Sequence, residues 1–347
     1  MSGTEFLRNT WYMALPSVKL AKKDLKAVVI MNEPILFFRD SQGVVSGLRD
    51  ICPHRGIPLS YGRIVEDHVE CTYHGWKFNG AGTCTEIPSL CQGQDLDCSK
   101  IKVRHYPVKE QQGAIWVFMG DKDFDVSRAP TIPFLSSFAA DRNPNFIEIT
   151  TFPCHIDHAV IGLMDPAHGP YVHKSWFWRT EKSMYEKRKK FAPADFGFKM
   201  LRHEPSKNSK AYKFLGGAPT TEINFQIPSV RVEHVKVGLK SFYSYTALTP
   251  VSEKETIIHQ FAYWDMPWLT LLKPFVRWFA KKFLYQDKDA VAKQQDGLKY
   301  DPSLMLIRDS DTQAKWYYSL KQEWQDSIKE LRPFQNPVKE TELRWRS

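Results

Sequence analysis

The stretch CPHRGIPLSYGRIVEDHVECTYHGW, residues 52–76, offers two thiols and two imidazoles. They are spaced as Cys52-x-His54, sixteen intervening residues, then Cys71-x-x-His74. A single zinc ion accepts a Cys2His2 set, but zinc fingers usually group both cysteines in one half and both histidines in the other. Here each half brings one sulfur and one nitrogen. Mixed halves suit a two-iron, two-sulfide cluster in which one iron takes two cysteines and the other two histidines. Gly56, Gly75 and Trp76 suit two tight loops closing over such a group.

A second constellation lies in LMDPAHGPYVH, residues 163–173. His168 and His173 are five apart, a step that does not stack two side chains on one face of a regular helix. Pro166 and Pro170 are expected to stop a regular helix from running through. Two histidines and one carboxylate form the facial ligand set of non-haem Fe(II) sites, which leaves the opposite positions open. The carboxylate must come from further along the chain, where Asp287, Asp289, Asp296, Asp301, Asp309 and Asp311 are available. On a helix through FLYQDKDAVAKQQ, Asp287 shares a face with Phe283, Val291 and Gln294, while Asp289 points nearly opposite. A ligand belongs on the inward face, which selects Asp287.

The combined pattern, C-x-H…C-x-x-H followed by D-x-x-H-x-x-x-x-H and a later aspartate, resembles the oxygenase component of Rieske non-haem iron oxygenases. RNTWY (8–12), CPHRGIPLSYG, CTYHGWKFNGAG, GAIWVFMGD and LMDPAHGPYVH are similar to the branch containing vanillate O-demethylase and the dicamba and toluenesulfonate methyl-monooxygenases. The resemblance implies a Rieske-type [2Fe–2S] cluster on Cys52, His54, Cys71 and His74, and a mononuclear Fe(II) on His168, His173 and Asp287. It gives Asp165 a different role, bridging His168 to His74 of a neighbouring subunit for electron transfer. High-potential relatives brace the two cluster loops with a disulfide. The equivalent places here are Ile57 and Tyr73, so the low-potential, oxygenase type is expected. Some relatives carry an asparagine where Gly162 stands. The remaining cysteines, 84, 91, 98 and 154, are read as plain thiols.

The same resemblance implies a terminal oxygenase that uses O2 and electrons from a separate ferredoxin or flavoprotein reductase. Monooxygenation of a small aromatic or alicyclic substrate, by hydroxylation or by O- or N-demethylation, is the expected reaction. Aromatic cis-dihydroxylation is the alternative, and an electron carrier or zinc-binding module the alternative of another class. Because the family passes electrons across a subunit boundary, a head-to-tail homotrimer is expected.

The elements that must position these residues divide the 347-residue chain in two. Residues 1–120 alternate apolar and polar residues between frequent turns, as in AVVIM (27–31) and GAIWVFMG (113–120), and predict an all-β Rieske domain. Residues 121–145, polar and proline-bearing, predict a linker. Residues 146–347 predict an α+β catalytic domain: an antiparallel sheet over 221–264, one long helix from Trp268, and a polar, Trp-bearing tail. By resemblance this is a helix-grip fold. On the strand ETIIHQFAYW, His259 alternates with Ile257 and Phe261 and, with Asn224 of TEINFQI, is a candidate substrate contact.

Composition narrows the classes further. Hydrophobic residues at 42% with 25% charged residues describe a globular protein. The net charge of +9 comes without a nucleic-acid motif, so no nucleic-acid partner is expected. No run of eighteen apolar residues appears, the N-terminus lacks an export signal, and a cytoplasmic protein is expected. The lone G-x-G in NGAG (79–82) fits a turn better than a nucleotide loop. The amphipathic, basic stretch WDMPWLTLLKPFVRWFAKKFL (264–284) is expected to pack on the sheet with a solvated cationic face, which makes membrane association unlikely. That face, or RTEKSMYEKRKKF (179–191), is a candidate dock for an acidic ferredoxin.

Overall fold

The computed structural model describes residues 5–173, 180–207 and 215–347, which form two compact units. The smaller, Arg8–Ala129, is all β. Strands β1 (Thr10–Pro16), β10 (Val108–Gln111) and β11 (Ala114–Met119) make a three-stranded sheet in the order β1-β11-β10. A second sheet orders β2 (Leu25–Ile30), β3 (Glu33–Arg39), β4 (Val45–Arg49) and β9 (His105–Tyr106) as β2-β3-β4-β9. The third is the meander β5 (Arg63–Val65), β6 (His68–Glu70), β7 (Lys77–Phe78) and β8 (Cys84–Glu86). Leu36, Phe38, Leu48, Leu59, Val69 and Phe78 close a core beneath its loops. The NGAG segment is the β7–β8 turn, in which the Asn79 side chain accepts from the amides of Ala81 and Thr83.

The larger unit comprises the residues before Arg8 together with Pro130–Ser347. Its eight antiparallel strands are β12 (Phe146–Phe152), β13 (Glu186–Ala194), β14 (Gly197–His203), β15 (Thr220–Gln226), β16 (Val230–Val237), β17 (Lys240–Ser252), β18 (Glu255–Trp264) and β19 (Thr341–Arg346). They run in the order β12-β18-β17-β16-β15-β14-β13-β19. The helices are α1 (Ile156–Met164), α2 (Gly169–Val172), α3 (Pro267–Leu271), α4 (Lys273–Leu298) and α5 (Thr312–Lys329). Cross-strand partners point to the same side of a sheet and successive residues to opposite sides. One face therefore carries Phe146, Phe225, Ala262 and Trp264. Helix α4 packs there through Val276 and Ala280, and α5 through Tyr317 against Phe225.

The opposite face is covered by part of the expected linker. Tyr245 Oη donates to the Pro133 carbonyl at 3.3 Å, and Ser137 Oγ lies 2.7 Å from Tyr243 Oη. Residues 130–145 thus belong to the larger unit, whereas 121–129 belong to the smaller one.

The polar tail, to which the sequence assigned no element, holds a second long helix, α5, and an edge strand, β19. Its apolar residues are sparse because β19 buries only Leu343 and Trp345 against its single neighbour. The basic stretch after Arg179, which itself lies outside the described residues, is largely strand β13, with Lys187 buried on Ser347 Oγ at 2.8 Å. The expected packing of 264–284 holds for Leu269, Val276 and Ala280, but Leu271, Leu272, Phe275 and Trp278 are exposed. Among the described residues no helix is long and apolar enough to cross a membrane.

Helix α1 is fastened to α5 by a buried ionic cluster. The Asp157 carboxylate accepts from Lys321 Nζ at 2.8 and 3.0 Å and from Tyr317 Oη at 2.6 Å, and Lys321 is only 5% exposed. Removing one partner of a buried pair leaves an uncompensated charge, at about 3–5 kcal/mol. Asp157→Asn is therefore expected to lower the melting temperature of the larger unit by on the order of 10 °C in a thermal scan. A melting curve that does not move would show that the cluster contributes no net stability.

Candidate metal centres

The two loops of the smaller unit close in the same way. The Gly56 amide donates to the Cys52 carbonyl at 2.9 Å, and the Cys52 amide to Ile57 O at 2.9 Å. In the second loop Gly75 donates to Cys71 O at 3.0 Å, and Cys71 to Trp76 O at 2.8 Å. This closure turns the chain back at the fourth residue after each cysteine, where φ is +75° at Gly56 and +71° at Gly75. A side chain disfavours that conformation, so glycine is required there. At Gly75 a Cβ would also come within 3.1 Å of Pro88 Cγ. Asp50 braces the first loop by accepting from Ser60 N at 2.7 Å and Ser60 Oγ at 2.6 Å.

The loops put sulfur inside and nitrogen outside. Cys52 and Cys71 are each 2% exposed, whereas His54 is exposed and His74 half-buried. The rings of His54 and His74 lie 4.5 Å apart, and His54 stacks on Trp76 at 4.5 Å. Burial pushes the Cys52 thiol up to about 11, with the neighbouring Cys71 adding to the shift. Burial also holds His74 below its ordinary value, with the charges of His54 and Arg55 acting in the same direction.

A tetrahedral zinc ion would draw its ligand atoms to within about 4 Å of one another. Each loop brings one thiol and one imidazole, with the thiols inside and the imidazoles toward the surface, which disfavours gathering all four on a single ion. A cluster that divides its ligands between two irons fits the arrangement. The other four cysteines are free thiols: Cys84 and Cys154 are buried, Cys98 is half-buried and Cys91 is exposed.

In the larger unit one three-residue donor set does converge. His168, His173 and Asp287 each offer a ligand atom within 4.8 Å of the others. The Nε2 atoms of the two histidines are 3.0 Å apart, and Asp287 Oδ1 lies 3.0 Å from His173 Nε2 and 3.6 Å from His168 Nε2. Two ligands about 2.1 Å from one ion and at right angles stand about 3.0 Å apart, as a facial triad on a ferrous ion requires.

The sequence between the histidines produces this convergence. Helix α1 ends at Met164, because Asp165 takes an extended conformation ahead of Pro166. Pro170 does not break a helix, contrary to expectation. It sits in the first turn of the short α2, where a missing amide hydrogen costs nothing. His168 precedes α2 and His173 follows it, so one turn separates them.

The second nitrogen of each ring is also held. His173 Nδ1 donates to Gln286 Oε1 at 3.1 Å, and Phe283 stacks on the ring at 3.9 Å. His168 Nδ1 faces Asp165 Oδ2 at 3.6 Å, beyond hydrogen-bond length, so the carboxylate acts there as a charge. Burial lowers the pKa of His168, but Asp165 and Asp287 outweigh it and leave the ring above its ordinary value. Asp289 points away and pairs with Lys293 at 2.6 Å. Gln294, expected to share the inward face, is exposed.

Gln286, and the role of Phe283 against the His173 ring, were not singled out from the sequence. The available signal was their place on α4, one residue and one turn before Asp287.

The two candidate substrate contacts are not on the helix-bearing face. His259 pairs with Ala247 and Ile149, and Asn224 with Val232 and Lys199. Strict alternation turns both toward the face covered by residues 130–142. The helix-bearing face instead carries a polar stripe of Glu148, Thr150, Arg231, Glu233, Ser244, Thr246 and Gln260. Gln260 accepts from Thr246 Oγ1 at 2.7 Å and donates to Ser244 Oγ at 2.9 Å, and Arg231 pairs with Glu233 at 3.2 Å. Polar residues alternating with buried apolar ones on these strands were the signal for it.

Comparison with known proteins bears on both centres. A family model for the Rieske [2Fe-2S] domain matches residues 10–107. Over 316 residues, 86% of this chain and 83% of its relative, the sequence is 30% identical to 4beta-methylsterol monooxygenase of Methylococcus capsulatus. The chain belongs to the Rieske non-haem iron oxygenases. Another member, chlorophyllide a oxygenase of Chlamydomonas reinhardtii, is 39% identical over 182 residues. That match takes in 52% of this chain and spans about a quarter, 26%, of the longer relative. The crystal structure of dicamba monooxygenase bound to dicamba shares the fold, with a TM-score of 0.73 at 23% identity over 94% of this chain and 99% of that one.

As a Rieske oxygenase, the protein has two cofactors: a Rieske-type [2Fe–2S] cluster and a mononuclear iron. Oxygenases of this kind work with O2 and a separate reductase or ferredoxin. The all-β Rieske domain and the helix-grip catalytic fold expected from sequence are both present.

Gln286→Leu is expected to weaken binding of the mononuclear iron by about 10–100-fold, because a ligand-orienting hydrogen bond is lost. The check is iron retention against a chelator, with the cluster's visible spectrum unchanged. Wild-type retention would remove Gln286 from the site.

Proposed function

We propose that this protein is the terminal component of a monooxygenase system, hydroxylating or demethylating a small aromatic or alicyclic substrate. The observation that supports this most directly is the coexistence of two donor sets of different geometry. One pairs a thiol with an imidazole in each of two loops, and the other brings two imidazoles and a carboxylate within 4.8 Å of one another. In this reading Cys52 and Cys71 hold one iron of the cluster and His54 and His74 the other, within the Rieske domain formed by Arg8–Ala129 rather than 1–120. His168, His173 and Asp287 hold the mononuclear iron in the catalytic domain, which takes in 130–145 as well as 146–347. When bound, the cluster supplies electrons singly and the mononuclear iron activates O2.

The protein's own residues orient and exclude. Gln286 keeps the proton of His173 on Nδ1, so the Nε2 lone pair faces the ion. Asp165 does the same electrostatically for His168, and it is also the proposed bridge to His74 of a neighbouring copy. That role requires a head-to-tail ring, for which a trimer is the proposed state. The polar stripe from Glu148 to Gln260 lies on the face roofed by α4 and is the proposed substrate-orienting surface, in place of His259 and Asn224. Six unbridged cysteines suit a reducing, cytoplasmic setting. An acidic ferredoxin or a flavoprotein reductase is the proposed electron donor.

Five measurements test the reading. Each chain should hold three irons, two of them with acid-labile sulfide. His168→Ala should empty only the mononuclear site, and simultaneous loss of the cluster would contradict the division of ligands. Asp287→Ala should abolish product formation while Asp289→Ala leaves it intact, and the reverse pattern would reassign the third ligand. Asp165→Asn should keep both metals yet slow electron transfer between them, so normal single-turnover kinetics would remove the bridge. A panel of methoxy-, methyl- and N-methyl substrates with a surrogate reductase reads the reaction class, and a cis-diol product would replace monooxygenation by dihydroxylation.

A further inference from the structure

Helices α3 and α4 present a surface that the metal chemistry does not use. Leu271 is 83% exposed, Phe275 59% and Trp278 53%, with Leu272 and Trp268 beside them. On α4, Phe275 and Trp278 lie one turn apart on the side away from Val276 and Ala280, which pack into the core. Their rings stack at 5.9 Å, so the outward apolar ridge is itself ordered.

The ridge is edged by cations. Lys282 Nζ stands 5.3 Å from the Trp278 ring centroid, and Lys281 lies 5.5 Å from that of Tyr285. Between Asp265 and Asp287 the chain contains Lys273, Arg277, Lys281 and Lys282 and not one acidic residue. Lysines placed over aromatic rings keep their charge near the apolar ridge instead of extending away from it.

We infer that this face docks peripherally on an anionic bilayer surface, with Leu271, Phe275 and Trp278 entering the headgroup–acyl boundary. Lys273, Lys281 and Lys282 meet the lipid headgroups. Three features single out this occupant. Large aromatic and aliphatic side chains protrude together beside basic ones, which is the composition of an interfacial helix. The charge is of one sign across 21 residues, complementary to an anionic leaflet. Arg277 faces the Glu148 carboxylate at 3.8 Å, but a symmetric contact between two copies would still set Lys273, Lys281 and Lys282 against the same three lysines. The orientation this imposes is lateral, since α4 is too polar to span a membrane.

The test uses the metal-loaded, full-length enzyme. It is sedimented with vesicles of phosphatidylcholine containing about 30 mol % phosphatidylglycerol, and with vesicles of phosphatidylcholine alone. The anionic vesicles should carry the enzyme down and the neutral ones should leave most of it in solution. Phe275→Ser/Trp278→Ser and, separately, Lys281→Glu/Lys282→Glu should each reduce the bound fraction's partition coefficient by about tenfold or more. Both variants should keep the cluster's visible spectrum and the wild-type melting temperature. Wild-type enzyme that ignores anionic vesicles would overturn the inference, as would variants that bind like wild type. A lipid-free sedimentation coefficient that falls in the serine variant would assign the patch to a contact between copies, and capture of an acidic ferredoxin lost in both variants without a change in vesicle binding would assign it to that partner. Either result would overturn bilayer docking. None of these readouts depends on turnover, so they stand apart from the tests of the proposed reaction.

Discussion

Three electron-rich groups held within 3.0–3.6 Å of one another are the constraint on which the larger unit depends. Two imidazole nitrogens and a carboxylate oxygen at that spacing direct lone pairs at one point when the rings are neutral. They stay there because each is held from behind. Gln286 and Phe283 fix His173, Asp165 faces His168, and Asp287 rides on a 26-residue helix packed against the sheet. The buried Asp157–Lys321 pair then fastens α1, whose end carries Asp165, to α5. A preorganised donor set of this kind binds a metal without first paying to assemble its ligands.

The smaller unit solves a different problem with repetition. Two loops with the same hydrogen-bond closure, each turned at a glycine with positive φ, place their cysteines inside and their histidines at the surface. The buried side suits sulfur, which is a good core atom once bound to metal. The outward histidines suit a group that must pass electrons to something outside its own domain. The ligand spacing differs by one residue between the loops, C-x-H against C-x-x-H, although the closure is the same. The histidines therefore leave the two loops at different points, outside the buried cysteines.

Much of this was legible before any coordinates. Metal-binding residue types are chemically distinctive, and their spacing along a loop is a local property, so the candidates Cys52, His54, Cys71, His74, His168 and His173 stood out from residue type alone. Asp287 was separable from Asp289 because a helix has fixed periodicity and only one face looks inward. Where the reading failed, non-local pairing decided. His259 and Asn224 were rightly placed on strands, but alternation does not say which face meets the helices. The edge strand β19 was missed because its partner β13 lies more than 140 residues away in sequence, and α5 because its apolar residues are spread thinly around a polar surface.

The sequence by itself singled out the candidate metal ligands and two kinds of site, because ligand chemistry is written in residue identity and short spacing. Tertiary structure alone decided which nitrogen of each histidine faces the other donors, which polar stripe lies on the helix-bearing face, and that α3 and α4 leave an apolar, cationic ridge outside. These depend on what packs behind each side chain, and packing partners are brought together by the fold from positions the chain keeps far apart.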